Sequence, residues 1–240
     1  ALHWAWQESV RAPGTHTLSP VATGAIAVDN QYLLAGSYAR KHAVQLDWEA
    51  SPTTFWGASL SGQRISNLVA ANGRLFAQNT GALFDNVATI APVVLNAQTT
   101  LNTYEETPLF GQGQLAQATV SVNHLLGPRW SVLGSYIHTT SRNTGAGLEG
   151  RWLPGFARHV VLGQTTWRHE ARSFSLLRLT WRGMRYSDEA NTVQRAPGWS
   201  LALAHGWESQ DRRWSFTGTV QTGLRTGERP TLWALVRYRD

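Results

Sequence analysis

Hydrophobic and polar positions alternate along most of this chain. Val44, Leu46 and Trp48 interleave with Gln45, Asp47 and Glu49, and Leu177, Leu179 and Trp181 with Arg178, Thr180 and Arg182. Trp199, Leu201 and Leu203 interleave with Ser200, Ala202 and Ala204. Trp214, Phe216 and Val220 do so with Ser215, Thr217, Thr219 and Gln221. A period of two is the signature of a strand with one apolar face, and helical periodicity is poor almost everywhere. Clusters of Gly, Pro, Asn and Asp break the pattern. They predict fourteen strands, over 1–10, 19–28, 31–40, 43–50, 55–66, 73–84, 87–97, 112–126, 130–140, 158–168, 173–186, 198–208, 213–225 and 231–239, with twelve to sixteen as the range.

Two features separate this pattern from a soluble antiparallel sandwich, whose strands also alternate. The segments run about 10–13 residues, against about 5–6 in globular proteins and about 9–11 for strands that cross a bilayer. The aromatic residues also sit at segment ends. Trp56 follows Pro52-Thr53-Thr54, Trp130 follows Gly127-Pro128-Arg129, and Trp199 follows Pro197-Gly198. Trp214 follows Asp211-Arg212-Arg213 and Trp233 follows Pro230; with Trp207 these are the expected membrane-interface aromatics. An indole suits that boundary because its ring is apolar while its N–H still reaches headgroups or water. The expected fold is all-β, a closed antiparallel up-and-down transmembrane barrel in the outer membrane of a Gram-negative bacterium. It forms a single domain over 1–240, complete or excerpted from a longer chain. Short turns at 29–30, 51–54, 127–129, 169–172 and 209–212 would face the periplasm. Longer connections at 11–18, 98–111, 141–157 and 187–197 would face outward.

Composition narrows the chemistry. Charged residues make up 15% of the chain, against about 25% in ordinary soluble domains. The absence of cysteine removes disulfide scaffolds and thiolate metal sites. The net charge of +6 is uneven: residues 1–120 carry 5 basic and 7 acidic side chains, and residues 121–240 carry 16 and 8. Of the 21 basic residues all but Lys41 are arginine, scattered singly among apolar residues, which argues against a nucleic-acid surface. The first residue is Ala1, as a removed signal peptide or an excerpt would leave it.

If Leu177, Leu179 and Trp181 face lipid, Arg178 and Arg182 face the lumen. Gln221 and Arg225 share that parity, and Gln45, Asp47 and Glu49 line an earlier strand. The expectation is a channel for a polar solute or polymer, with a basic wall opposite an acidic patch. The same charges also suit a cross-barrel salt-bridge network that only fills the interior. No cofactor and no metal are implied, since no pair of the eight histidines has helical zinc spacing. Outer-membrane lipid and lipopolysaccharide are the expected surroundings, with a periplasmic or surface protein as a partner in a non-conducting, anchoring alternative. A lipid hydrolase is the other alternative, with His138 beside Thr140 or Ser141, or His124 beside Ser121, as its candidates. The loop 98–111, with Glu105-Glu106 and Pro108-Leu109-Phe110, reads first as a solvated loop, with an inward constriction or a site for an extracellular partner as alternatives.

Several late segments carry a family likeness: Pro154-Gly155-Phe156-Ala157-Arg158-His159, the run from Trp181-Arg182-Gly183-Met184-Arg185-Tyr186 to Asn191, Pro197-Gly198-Trp199, Asp211-Arg212-Arg213-Trp214-Ser215 and Leu235-Val236-Arg237-Tyr238-Arg239. From 130 to 239 the chain resembles the late strands of TonB-dependent receptor barrels. It is also similar to the barrel domain of export pores that follow tetratricopeptide repeats. Either resemblance implies an outer-membrane barrel. The chain departs from the receptor pattern in ending on Asp240, with Tyr238 as its last aromatic.

Overall fold

The computed structural model describes residues 1–10, 38–66, 110–170, 172–211, 213–224 and 230–238. Its elements are strands, and no helix occurs among the described residues. They are β1 (Leu2–Val10), β2 (Tyr38–Ser51), β3 (Thr54–Ser66), β4 (Gln112–Leu125), β5 (Trp130–Asn143) and β6 (His159–Glu170). Next come β7 (Ser173–Arg182), the two-residue strands β8 (Arg185–Tyr186) and β9 (Gln194–Arg195), then β10 (Gly198–Glu208), β11 (Trp214–Gly223) and β12 (Thr231–Tyr238). Ten form one antiparallel sheet in the order β1-β2-β3-β4-β5-β6-β7-β10-β11-β12, while β8 and β9 make a small hairpin between β7 and β10. Each strand lies beside its predecessor, so the path is up and down. β1 and β12 are its two edges, not paired with each other among the described residues.

The structure corrects several expected boundaries. Residues 38–51 form one strand rather than the ends of two, because Arg40 to Ala43 continue the ladders to both β1 and β3. The segment 173–186 stops at Arg182, and Gly183 donates instead to the His159 carbonyl. The strands expected at 19–28, 73–84 and 87–97 lie outside the described residues, as does most of 31–40, so a count of fourteen is not reached. Among the described residues the sheet is also not closed, as the barrel expectation required.

Burial is inverted relative to a soluble sheet. Among the described residues thirty large apolar side chains are exposed, including Leu2, Trp4, Leu60 and Leu232, against twelve buried apolar residues. Those on the strands, Phe55 and Leu125 excepted, share one face. Across the register, Leu2 opposes Leu46, Val44 opposes Leu60, Leu177 opposes Leu203 and Phe216 opposes Val236. Soluble monomers rarely expose a contiguous apolar patch beyond about 300–600 Å², so a solvated sheet is a poor home for this one. The other face mixes polar and small residues with the buried clusters around Ile65 and Leu115 and around Ile137 and Leu162. One cross-strand row runs Asp47, Gly57, Ser121, Ser135, Leu162, Thr180 and Ser200.

Candidate functional site

Aromatic side chains border the apolar face at both ends. At the short-turn end Trp48 opposes Trp56, Trp130 stacks on Trp167 with centroids 5.2 Å apart, Trp207 opposes Phe216, and Trp214 meets Tyr238 at 4.7 Å. At the long-connection end lie Trp6 with His42, Tyr136 with His159, and Trp181 opposite Trp199. Trp130 and His138 are eight residues apart on one strand, as are Trp199 and Trp207. That spacing is about 27 Å, close to the roughly 25 Å apolar band of a barrel wall. Of the aromatics singled out from sequence, Trp56, Trp130, Trp207 and Trp214 sit on the short-turn row and Trp199 on the other. Trp233 opposes Thr219, whose position belongs to the polar face.

The short-turn row is not perpendicular to the strands. From Trp56 the register leads through Val122, Gly134, Gly163, Leu179 and Leu201 to Thr222. The aromatic residues drop progressively below that line. Trp167 lies four residues from Gly163, Trp207 six from Leu201, and Trp214 eight from Thr222. Eight residues are about 27 Å and six strand spacings about 29 Å, which gives a tilt of about 40°. Strands of membrane barrels tilt by about 35–45°.

The polar face holds the charged positions named from sequence, but it does not bring them together. Arg178 is buried in mid-strand, with its Nε donating to Gln164 Oε1 at 3.0 Å. Gln221 lies two strands away in the same row, beyond Ala202. Arg182, also buried, closes β7 at the long-connection end. Gln45 donates to both Asp47 carboxylate oxygens, and His3 Nε2 lies 3.5 Å from Asp47. Glu49 is exposed beside the 51–54 turn. The register links Glu49 to Arg178 through Phe55, Asn123, Leu133 and Gln164. That path is five strand spacings, about 24 Å along the sheet. Arg225 lies outside the described residues.

The long-connection end of the polar face is filled. Within the connection 144–158, Leu153 and Phe156 turn inward and pack with Phe110 against Ala39, Ile65 and Leu115. Leu153 and Phe110 are completely buried. Backbone and side-chain bonds secure the fold-back: Asn143 N–H to the Arg151 carbonyl, Leu153 N–H to Ser141 Oγ, and Gly155 N–H to the Tyr186 carbonyl. The connection 183–197 locks it from outside. Asn191 accepts from Trp152 N–H at 2.7 Å and donates to the Trp152 carbonyl at 2.8 Å, while Glu189 accepts from Gly111 N–H and Asn143 Nδ2. The sequence pattern predicts 141–157 as an outward loop. The overlooked signal was Trp152, Leu153 and Phe156 inside a connection, where an outward loop would be polar. Of 98–111 the structure describes Phe110 and Gly111, and Phe110 belongs to this inward cluster.

Hydrolase geometry is incomplete. His124 bonds Thr54 Oγ1 at 2.8 Å, whereas Ser121 has the opposite strand parity. His138 lies 5.0 Å from the His159 ring. Ser175 Oγ is 2.7 Å from His169 Nε2 and 3.1 Å from His205 Nδ1, with no carboxylate described as orienting either ring. No group of three metal-ligating side chains occurs among the described residues.

No family model and no curated protein matches the chain. Among solved structures it is similar to the ferric yersiniabactin uptake receptor FyuA from Yersinia pestis, at 11% identity and a TM-score of 0.48, over 83% of this chain and 28% of that one. It is also similar to the ferric preacinetobactin receptor BauA from Acinetobacter baumannii, at 11% identity and 0.47, over 99% and 33%. For the toluene transporter TodX from Pseudomonas putida the values are 8% and 0.44, over 100% and 69%. The chain spans about a third of the length of the two receptors, and its likeness to all three is one of antiparallel β-architecture.

Proposed function

We propose that this chain forms wall of an outer-membrane β-barrel, with its polar face lining a path for a polar solute and its long-connection mouth narrowed by the inward fold of 144–158. The observation that carries this reading is the aromatic border, which crosses the register at a slope matching the tilt of barrel strands. An apolar face of this extent is stable against lipid chains and costly against water. At the edges of the sheet among the described residues, β1 and β12 present backbone N–H and C=O groups that lipid cannot satisfy. In the membrane they are joined to each other or to further strands. Selection would rest on pore width and on buried Arg178 and Arg182, without covalent chemistry.

Planar-bilayer conductance of the detergent-refolded chain, with reversal potential under a salt gradient, tests the proposal. Stable channels with anion preference are the expected result. A folded chain without conductance would assign it to a plugged, anchoring wall. A chain that folds in water without detergent would overturn the membrane reading.

A further inference from the structure

Above the apolar band, on the lipid-facing side, the register aligns charges that the channel reading does not use. Glu8, Arg40, Arg64, Gln114 and Arg142 oppose one another in a single row across five strands. Glu8 holds Arg40 at 2.6 Å. Arg64 and Arg142 have no carboxylate partner among the described residues, and both are exposed. Arg40 and Arg64 stand directly opposite each other, an arrangement that is unfavourable unless something anionic lies between them. Arg64 and Arg142 flank Gln114 two strand spacings apart, about 10 Å.

Immediately beneath this row the surface dips. The next two rows are His42, Gly62, Ala116, Thr140 and Val44, Leu60, Ala118, His138. The small side chains of Gly62, Ala116 and Ala118 leave a trough of about 370 Å³ between His42, Leu60 and His138. Between the end of β5 and the 144–158 connection, Arg142 and Arg158 line a second, more polar cavity of about 260 Å³ together with Thr140, Ser141, Trp152 and Phe156. Cations at the water border above an apolar trough complement a molecule with phosphate at its head and hydrocarbon below it.

We infer that this face of β2–β5 is a binding site for a phosphorylated, multiply acylated lipid of the outer leaflet, with the Arg64 and Arg142 guanidiniums on its phosphates and an acyl chain in the Gly62–Ala118 trough. The site rests on the membrane reading, because only in a bilayer does this face meet lipid. Binding weakens as salt is raised, since the row is exposed at the border.

Native mass spectrometry of the full chain refolded in detergent tests it, with three probes: a bis-phosphorylated hexa-acyl disaccharide lipid, its dephosphorylated form and inorganic phosphate. The bis-phosphorylated lipid should be retained at least about tenfold better than the dephosphorylated one. The Arg64→Glu/Arg142→Glu pair should lose that advantage, and Arg213→Glu, at the opposite end of the sheet, should keep it. Equal retention of both lipids, or an unchanged double variant, would overturn the site. Competition by inorganic phosphate at lipid-like concentration would overturn the lipid as its occupant. Heat-modifiable gel mobility of every variant separates these outcomes from failure of the membrane reading, in which no detergent-dependent folded form would be seen.

Discussion

A Cβ built on Gly113 would stand 2.6 Å from both terminal methyls of Leu153. The first residues of β4 therefore set the seat of a loop that begins thirty-one positions after Gly113. Leu153 is rigid hydrocarbon packed among Phe110, Phe156, Ile65 and Leu115, so it cannot swing aside as a surface side chain would. Gly113→Val should unseat the 144–158 connection while leaving the strands paired. Limited proteolysis of the folded protein should then cut within 144–157, where the parent resists. Leu153→Ala should loosen the same segment by about 2–5 kcal/mol of local stability, read as faster hydrogen exchange at Leu153 and Gly155.

Asn191 is the positive-φ non-glycine residue among those described, at φ 57°. Its side chain brackets Trp152 by bonding both its N–H and its carbonyl. Asn191→Gly keeps the backbone conformation and removes both bonds, whereas Asn191→Ala removes them and adds left-handed strain. Trp152 should therefore lose protection in both variants, and more in Asn191→Ala by about 1 kcal/mol. Equal exchange rates in the two would show that the backbone conformation carries no cost there.

Asp188 accepts from Val193 N–H at 2.8 Å and from the Thr192 N–H and hydroxyl. These bonds favour the carboxylate and hold its pKa below the ordinary value of 3.8. A depressed folded-state pKa means that its ordering of the turn is fully present above the unfolded value. That ordering is lost as pH falls through the depressed one. Exchange at Val193, followed from pH 5 downward, should accelerate only below about pH 3.8. Asp188→Asn should remove the acid step.

Leu203 lies in mid-band and is 49% exposed. On a solvated sheet Leu203→Arg would be nearly neutral. Against lipid it should cost about 2–4 kcal/mol, while Trp207→Arg, at the border, should lose less charge-transfer energy, about 0–1 kcal/mol besides its ring. Urea titration of vesicle-refolded protein measures both, and near-neutral Leu203→Arg in vesicles would argue against a lipid-facing band.

Arg178, buried and bonded to Gln164, is the buried cation nearest mid-strand on the polar face. Arg178→Glu should shift the reversal potential toward cations. Glu49→Gln, at the exposed rim, should shift it little. Unchanged selectivity in Arg178→Glu would take this residue out of the conducting path.

Local order determined much of this protein. Alternation along Val44–Trp48 or Leu177–Arg182 fixes strand and face together, since neighbouring side chains must point to opposite sides. The tryptophans near the short turns gave the apolar face one border for the same reason. Tertiary structure decided what depends on partners distant in sequence. Pairing of β3 with β4, across 45 intervening residues, sets which rows align. Only those rows reveal the tilt of the aromatic border, the arginine line from Arg40 to Arg142 and the separation of Glu49 from Arg178. Trp152, Leu153 and Phe156 are legible locally as apolar residues in a connection, but the place that receives them is not. Burying them requires a vacant apolar seat, and Ala39, Ile65, Gly113 and Leu115 make that seat only once three strands stand side by side.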